Sequence, residues 1–67
     1  SKLSQRETEV LLYVSHGFRN LDIAQALGIA PRTVESHIKQ ILRKLGVKTR
    51  TQAALMAAGE LPFHEAA

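Results

Sequence analysis

The sequence predicts an all-α fold, a compact four-helix domain containing a helix-turn-helix. Three observations carry that expectation. Apolar residues recur at intervals of three and four, and no stretch alternates as a strand would. Glycines stand at positions 17, 28, 46 and 59, where the periodic runs break. Helix-start signals follow each of the first three glycines within a few residues. At 67 residues the chain is long enough for one domain. A domain this small buries only about 60% of the surface its unfolded chain exposes, so its thin core depends on efficient helix packing. Residues 1–59 are expected to form the domain and residues 60–67 a C-terminal tail.

The first helix is predicted over about residues 5–16. Ser4 followed three residues later by Glu7 is a capping box, in which hydroxyl and carboxylate each satisfy an amide of the first turn. Val10, Leu11 and Val14 form its inner face. A second, short helix is expected over 21–27, with Asn20 as its cap and Ile23, Ala24 and Leu27 turned inward. Pro31 opens a third helix, where its missing amide hydrogen costs nothing. That helix runs unbroken over 31–45 and spans roughly 22 Å, enough to lie along a DNA groove. Thr49 and Gln52 form a second capping box, opening a fourth helix over 50–58. Beyond it, Leu61-Pro62-Phe63 is expected to pack loosely or fray, with the last residues mobile. The Gly28-Ile29-Ala30 turn gives the second and third helices the spacing of a helix-turn-helix.

Net charge is +3, and its distribution is more informative than its size. Residues 31–50 hold Arg32, Lys39, Arg43, Lys44, Lys48 and Arg50 against Glu35 alone, a local net of +5, while residues 1–30 balance. A concentrated basic segment is the footprint of a phosphate-binding surface, although charged helix faces are often merely solvated. The faces of the third helix separate these readings. With 100° per residue and Thr33 at zero, Val34, Ile38, Ile41 and Leu45 fall between about 80° and 140° and form the core stripe. Arg32, Ser36, Lys39, Gln40 and Arg43 fall between about 240° and 340°, with no apolar residue among them. Thr33, His37 and Lys44 form a polar flank between the two.

The open face suits nucleic acid. Arginine and lysine donate to guanine O6 and N7, glutamine pairs with adenine, and serine serves several bases. Thr33, His37 and Lys44 are placed to hold phosphates and fix register. Glu35 either accepts from cytosine N4 or pairs with Lys39 four residues on, and the ion pair is the favoured expectation.

Other features read as structural. His16, His37 and His64 fit no metal-ligand spacing, so no metal and no cofactor are expected. His16 is placed to interact with a helix C-terminus. No serine has an evident base and orienting acid, so an enzyme is not expected. Glu7 or Glu9 is expected to pair with Lys44 or Arg50 across the fold. Ala53, Ala54, Ala57 and Ala58 suit close helix packing. Leu55 and Met56 cannot easily both be buried beside them, which makes a dimer seam the alternative reading. There is no cysteine, which suits a reducing cytosol. No apolar run approaches the ~18 residues of a membrane span and no signal-peptide pattern opens the chain, so no membrane is expected. The chain begins at Ser1 and not at methionine, and is read as a piece of a larger protein.

The run Leu3-Ser4-Gln5-Arg6-Glu7-Thr8-Glu9-Val10-Leu11 resembles the opening signature of LuxR-type (NarL/GerE-like) DNA-binding domains. So, in one register, do Gly17, Ile23-Ala24, Leu27-Gly28-Ile29, Thr33-Val34, His37-Ile38, Lys44-Leu45-Gly46-Val47, Arg50 and Gln52-Ala53. The resemblance covers about residues 3–59. It implies the C-terminal effector domain of a bacterial response regulator or related transcription factor, with its third helix in the major groove. It also implies base reading at Glu35, Ser36 and Lys39, and phosphate contacts from Thr33, His37, Lys44 and residues near the second helix. The fourth helix would form a homodimer contact through Thr51, Leu55 and Ala58. Two positions depart from the family pattern: Ala30 stands where a serine or threonine cap is usual, and Glu35 where several members carry a basic or neutral residue.

Residues and resemblance together lead to one expectation. The chain is a sequence-specific double-stranded DNA binder for transcription regulation, dimeric on paired half-sites about one helical turn apart. Arg32, Thr33, His37, Arg43 and Lys44 anchor phosphates in this reading. A missing N-terminal sensor or receiver domain controls it, RNA polymerase is admitted as a further partner, and the location is cytoplasmic. The rival is a protein-interaction module that docks its basic helix on an acidic partner.

Overall fold

A computed structural model describes residues 3–59. It contains four helices in the order α1 (Gln5–Ser15), α2 (Asn20–Leu27), α3 (Pro31–Leu45) and α4 (Arg50–Ala57). The expected tail, residues 60–67, lies outside the described residues, and with it Leu61-Pro62-Phe63 and His64.

Local chemistry sets most of the helix ends. At α1 the Ser4 amide donates to Glu7 Oε1 at 2.9 Å and the Glu7 amide donates to Ser4 Oγ at 3.1 Å, the reciprocal bonds of the expected capping box. At α4 Thr49 and Gln52 repeat the arrangement, and Gln52 Oε1 also accepts from the Lys48 amide. His16 Nδ1 meets the Leu12 carbonyl at 2.7 Å, so the ring does engage the end of α1. Gly46 closes α3 at φ +72°, and the Val47 amide reaches back to the Leu42 carbonyl at 3.1 Å. Only a residue without Cβ adopts that left-handed turn at little cost, so the glycine fixes where the helix stops.

One start signal is corrected. α2 begins at Asn20, not after it, and its N-cap is Arg19. The Asp22 carboxylate accepts from the Arg19 amide at 3.1 Å, which supplies the capping bond from within the helix. Asn20 does not cap because its side-chain oxygen accepts from Arg50 Nη1, thirty residues away. α3 starts at Pro31, and its N-cap, Ala30, makes no side-chain capping bond, as expected of alanine at that position.

The core gathers Val10, Leu11 and Val14 from α1, Ile23 and Ala24 from α2, Val34, Ile41 and Leu45 from α3, and Ala53 and Met56 from α4. α1 packs on both α3 and α4, and α2 packs on α3. Leu27 and Ile38, expected inside, are half-buried and, with Leu42, flank this cluster. α1 is therefore the platform against which α3 is held, and α2 braces α3 as well.

Candidate nucleic-acid interface

Because Val34, Ile41 and Leu45 point into the core, the side of α3 opposite them must face outward. Arg32, Thr33, Glu35, Ser36, Lys39 and Arg43 are all exposed there. Arg32, Glu35, Ser36 and Lys39 together line one open depression on this surface. His37, Gln40 and Lys44 are half-buried along the flank. The structure thus brings the three residues expected to read bases onto one surface, with Arg32 and Arg43 on the same face.

The expected Glu35–Lys39 ion pair is not formed. Among the described residues the ion pairs are Arg6–Glu9, Arg19–Asp22 and Lys44–Glu7. An exposed pair at this spacing gains only about 0.3–0.5 kcal/mol, so little is lost when it does not form. Lys39 and Glu35 both remain available to a partner.

Lys44 behaves differently from the other cations of the segment. Its Nζ lies 2.8 Å from Glu7 Oε1, the same oxygen that accepts from the Ser4 amide. Among the described residues Glu7 is the buried charged one, at 6% exposure, so an uncompensated carboxylate there would be costly. Burial pushes the Glu7 carboxyl up, but the hydrogen bonds from Lys44 and Ser4 and the charge of Lys44 outweigh it and leave it below its ordinary value. Of the cross-fold pairings that the sequence allowed, only Glu7–Lys44 forms. Glu9 lies beside Arg6 at the surface.

Arg50 is drawn inward as well. Besides Asn20, its guanidinium reaches the Phe18 carbonyl oxygen at 2.6 Å, tying the start of α4 to the loop between α1 and α2. Sequence reasoning missed this role for Arg50 and Asn20, although Asp22 placed three residues after Arg19 already marked an earlier helix start. On α4, Met56 is buried while Leu55 is 36% exposed, so one of the two neighbours is left outside, and Thr51 and Ala58 are exposed too.

No group of three His, Cys, Asp or Glu residues among the described ones is placed to hold a metal ion. No helix among them is long and apolar enough to cross a membrane.

Four helices, a tight turn between the second and third, and an exposed cationic side on the third define a helix-turn-helix domain of the DNA-binding type. Residues 1–57 match the family described as bacterial regulatory proteins, luxR family, and the chain belongs to that family. Its domain is a DNA-binding regulatory one and not a class of enzyme.

Over 55 residues the chain is 46% identical to the response regulator protein VraR of Staphylococcus aureus (strain NCTC 8325 / PS 47), which takes in 82% of this chain and 26% of that protein. The same figures hold for VraR of Staphylococcus saprophyticus. The chain therefore spans about a quarter of the length of these relatives. Among solved structures it resembles the DNA-binding domain of the response regulator ComA, crystallised with the anti-activator RapF. The TM-score is 0.79 at 41% identity, over 84% of this chain and 97% of that one. The response regulator ChrA of a heme-sensing two-component system matches with a TM-score of 0.77 at 36% identity, over 91% of this chain and 31% of that one.

Proposed function

We propose that this domain binds double-stranded DNA in a sequence-specific manner, with α3 in the major groove, and so directs transcription. The observation that carries the reading is the two-sided character of α3. Its core stripe is locked against α1 and α2, while Arg32, Ser36, Lys39 and Arg43 stand exposed on the opposite side. A helix with its side chains is about 10–12 Å across, and the major groove is about 12 Å wide. Glu35, Ser36 and Lys39 read base edges in this proposal. Arg32, Thr33, His37 and Arg43 hold phosphates and set the register, with Lys44 on the flank beside them.

The second part of the proposal is a dimer through α4. Leu55 leaves apolar surface outside the core, and Thr51 on the same helix and Ala58 at its C-cap are exposed. A two-fold pair of such domains would place two copies of α3 on half-sites roughly 34–36 Å apart. The unit that acts in this way is residues 1–59.

The similarity to VraR, ComA and ChrA supports a place for this domain in a response regulator; in this proposal an N-terminal regulatory domain governs it and it works in the cytoplasm with RNA polymerase. ComA's domain was crystallised with a protein anti-activator, which supports protein partners here too.

Selection of bound duplexes from a random pool tests the reading. The expected result is an enriched motif of two related half-sites one helical turn apart. Enrichment of a single half-site would remove the dimer and keep the DNA reading. No enrichment over random duplex, at low and moderate salt alike, would overturn both.

A further inference from the structure

The Glu7–Lys44 pair joins the first turn of α1 to the last turn of the proposed recognition helix. Glu7 cannot swing freely, because its carboxylate is buried and also accepts from the Ser4 amide. Lys44 is only partly covered, with 31% of its side chain exposed, and an ammonium carries three donors. One donor goes to Glu7, and no other acceptor among the described residues takes either of the remaining two. Lys44 lies on the polar flank that Thr33 opens and His37 continues, beside the exposed face of α3. A lysine on a flexible four-carbon stem ordinarily loses rotamer freedom when it settles on a phosphate. Here much of that ordering is already in place.

From this geometry we infer that Glu7 is a positioning residue for DNA binding: it holds the Lys44 ammonium so that its two free donors meet a backbone phosphate. The inference rests on the DNA-binding reading above and adds to it a carboxylate, on a different helix, that strengthens binding to a polyanion. This runs against simple electrostatics. Neutralising an acid near DNA should tighten binding, whereas removing a positioning acid should loosen it.

Glu7→Gln distinguishes the two, because glutamine keeps the capping-box acceptor while losing the charge. Binding of wild type, Glu7→Gln, Lys44→Gln and the double variant to one duplex would be measured over a range of salt concentrations, with thermal unfolding as the check on folding. Lys44→Gln is expected to lower the salt slope by about one and to weaken binding roughly fivefold to tenfold at ~0.1 M salt, on all sequences alike. Glu7→Gln is expected to weaken binding despite the loss of a negative charge, and to produce no such weakening when Lys44 is already glutamine. Tighter or unchanged binding by Glu7→Gln overturns the inference. So does a wild-type salt slope in Lys44→Gln, which would make the pair purely structural. Should Glu7→Gln not fold, Glu7→Asp takes its place, because it keeps the charge but shortens the reach to Lys44: weaker binding with the domain still folded supports the inference, and wild-type binding overturns it. If the wild-type domain itself fails to bind the duplex, it is the DNA-binding reading that falls.

Discussion

Val34, Ile41 and Leu45 on one side of α3 and Arg32, Ser36, Lys39 and Arg43 on the other share a single backbone, yet they answer to different physics. The inner set is sealed from water, with Val34 at 0% and Ile41 at 1% exposure, so any loss of volume there leaves a cavity. The outer set touches little of its own chain, so its removal leaves the fold intact and subtracts only what a partner would have met. The lesson is that stability and recognition are separable on this helix, and mutations can be sorted by side before they are made.

Ile41→Ala should be the most damaging change. A buried isoleucine reduced to alanine typically costs about 2–5 kcal/mol, which in so small a domain lowers the melting temperature by about 10 °C or more. Thermal denaturation followed by circular dichroism checks this, and a loss no larger than that of an outer-face variant would break the comparison. Lys39→Ala should leave the melting temperature where it was and reduce discrimination at one base pair by about 1–3 kcal/mol, read from binding to a set of single-position duplex variants. Arg43→Ala should weaken every duplex to a similar degree and lower the salt slope by about one, again without unfolding the domain.

Between the two sides lies the uncapped start of α3. Ala30→Ser should stabilise the domain by about 1 kcal/mol by giving the helix the side-chain acceptor it lacks, measurable in urea. Glu7 sharpens the comparison through pH. Its carboxyl sits below its ordinary value in the folded state, so the stability it contributes is present above the unfolded carboxyl's range and lost as pH falls through the lowered folded value. Glu7→Gln should flatten that part of the acid-unfolding curve.

How much of this was legible in the sequence follows from the range of the forces involved. α3 was placed from Pro31 to Leu45 because a proline at one end and a left-handed glycine at the other act on their own turn. The caps at Ser4–Glu7 and Thr49–Gln52 were readable for the same reason. Asn20 was misplaced because its side chain is claimed by Arg50, thirty residues away at the start of α4, and no local pattern records such a partner. Glu35–Lys39 had the right spacing, but an exposed pair gains too little for spacing alone to decide whether it forms. The cross-fold choice of Lys44 for Glu7 was visible only as one of several pairings, since it depends on how α1 lies against α3. Which of Leu55 and Met56 would be buried likewise depended on packing and not on pattern.

The most direct test is to follow the backbone amide resonances of the domain as duplex DNA is added. Shifts concentrated at Arg32, Ser36, Lys39 and Arg43, with Leu12 and His16 on the outer side of α1 unmoved, are the expected result. Shifts that spare α3 and gather around Leu12 and His16 would contradict the assignment of the interface to this helix.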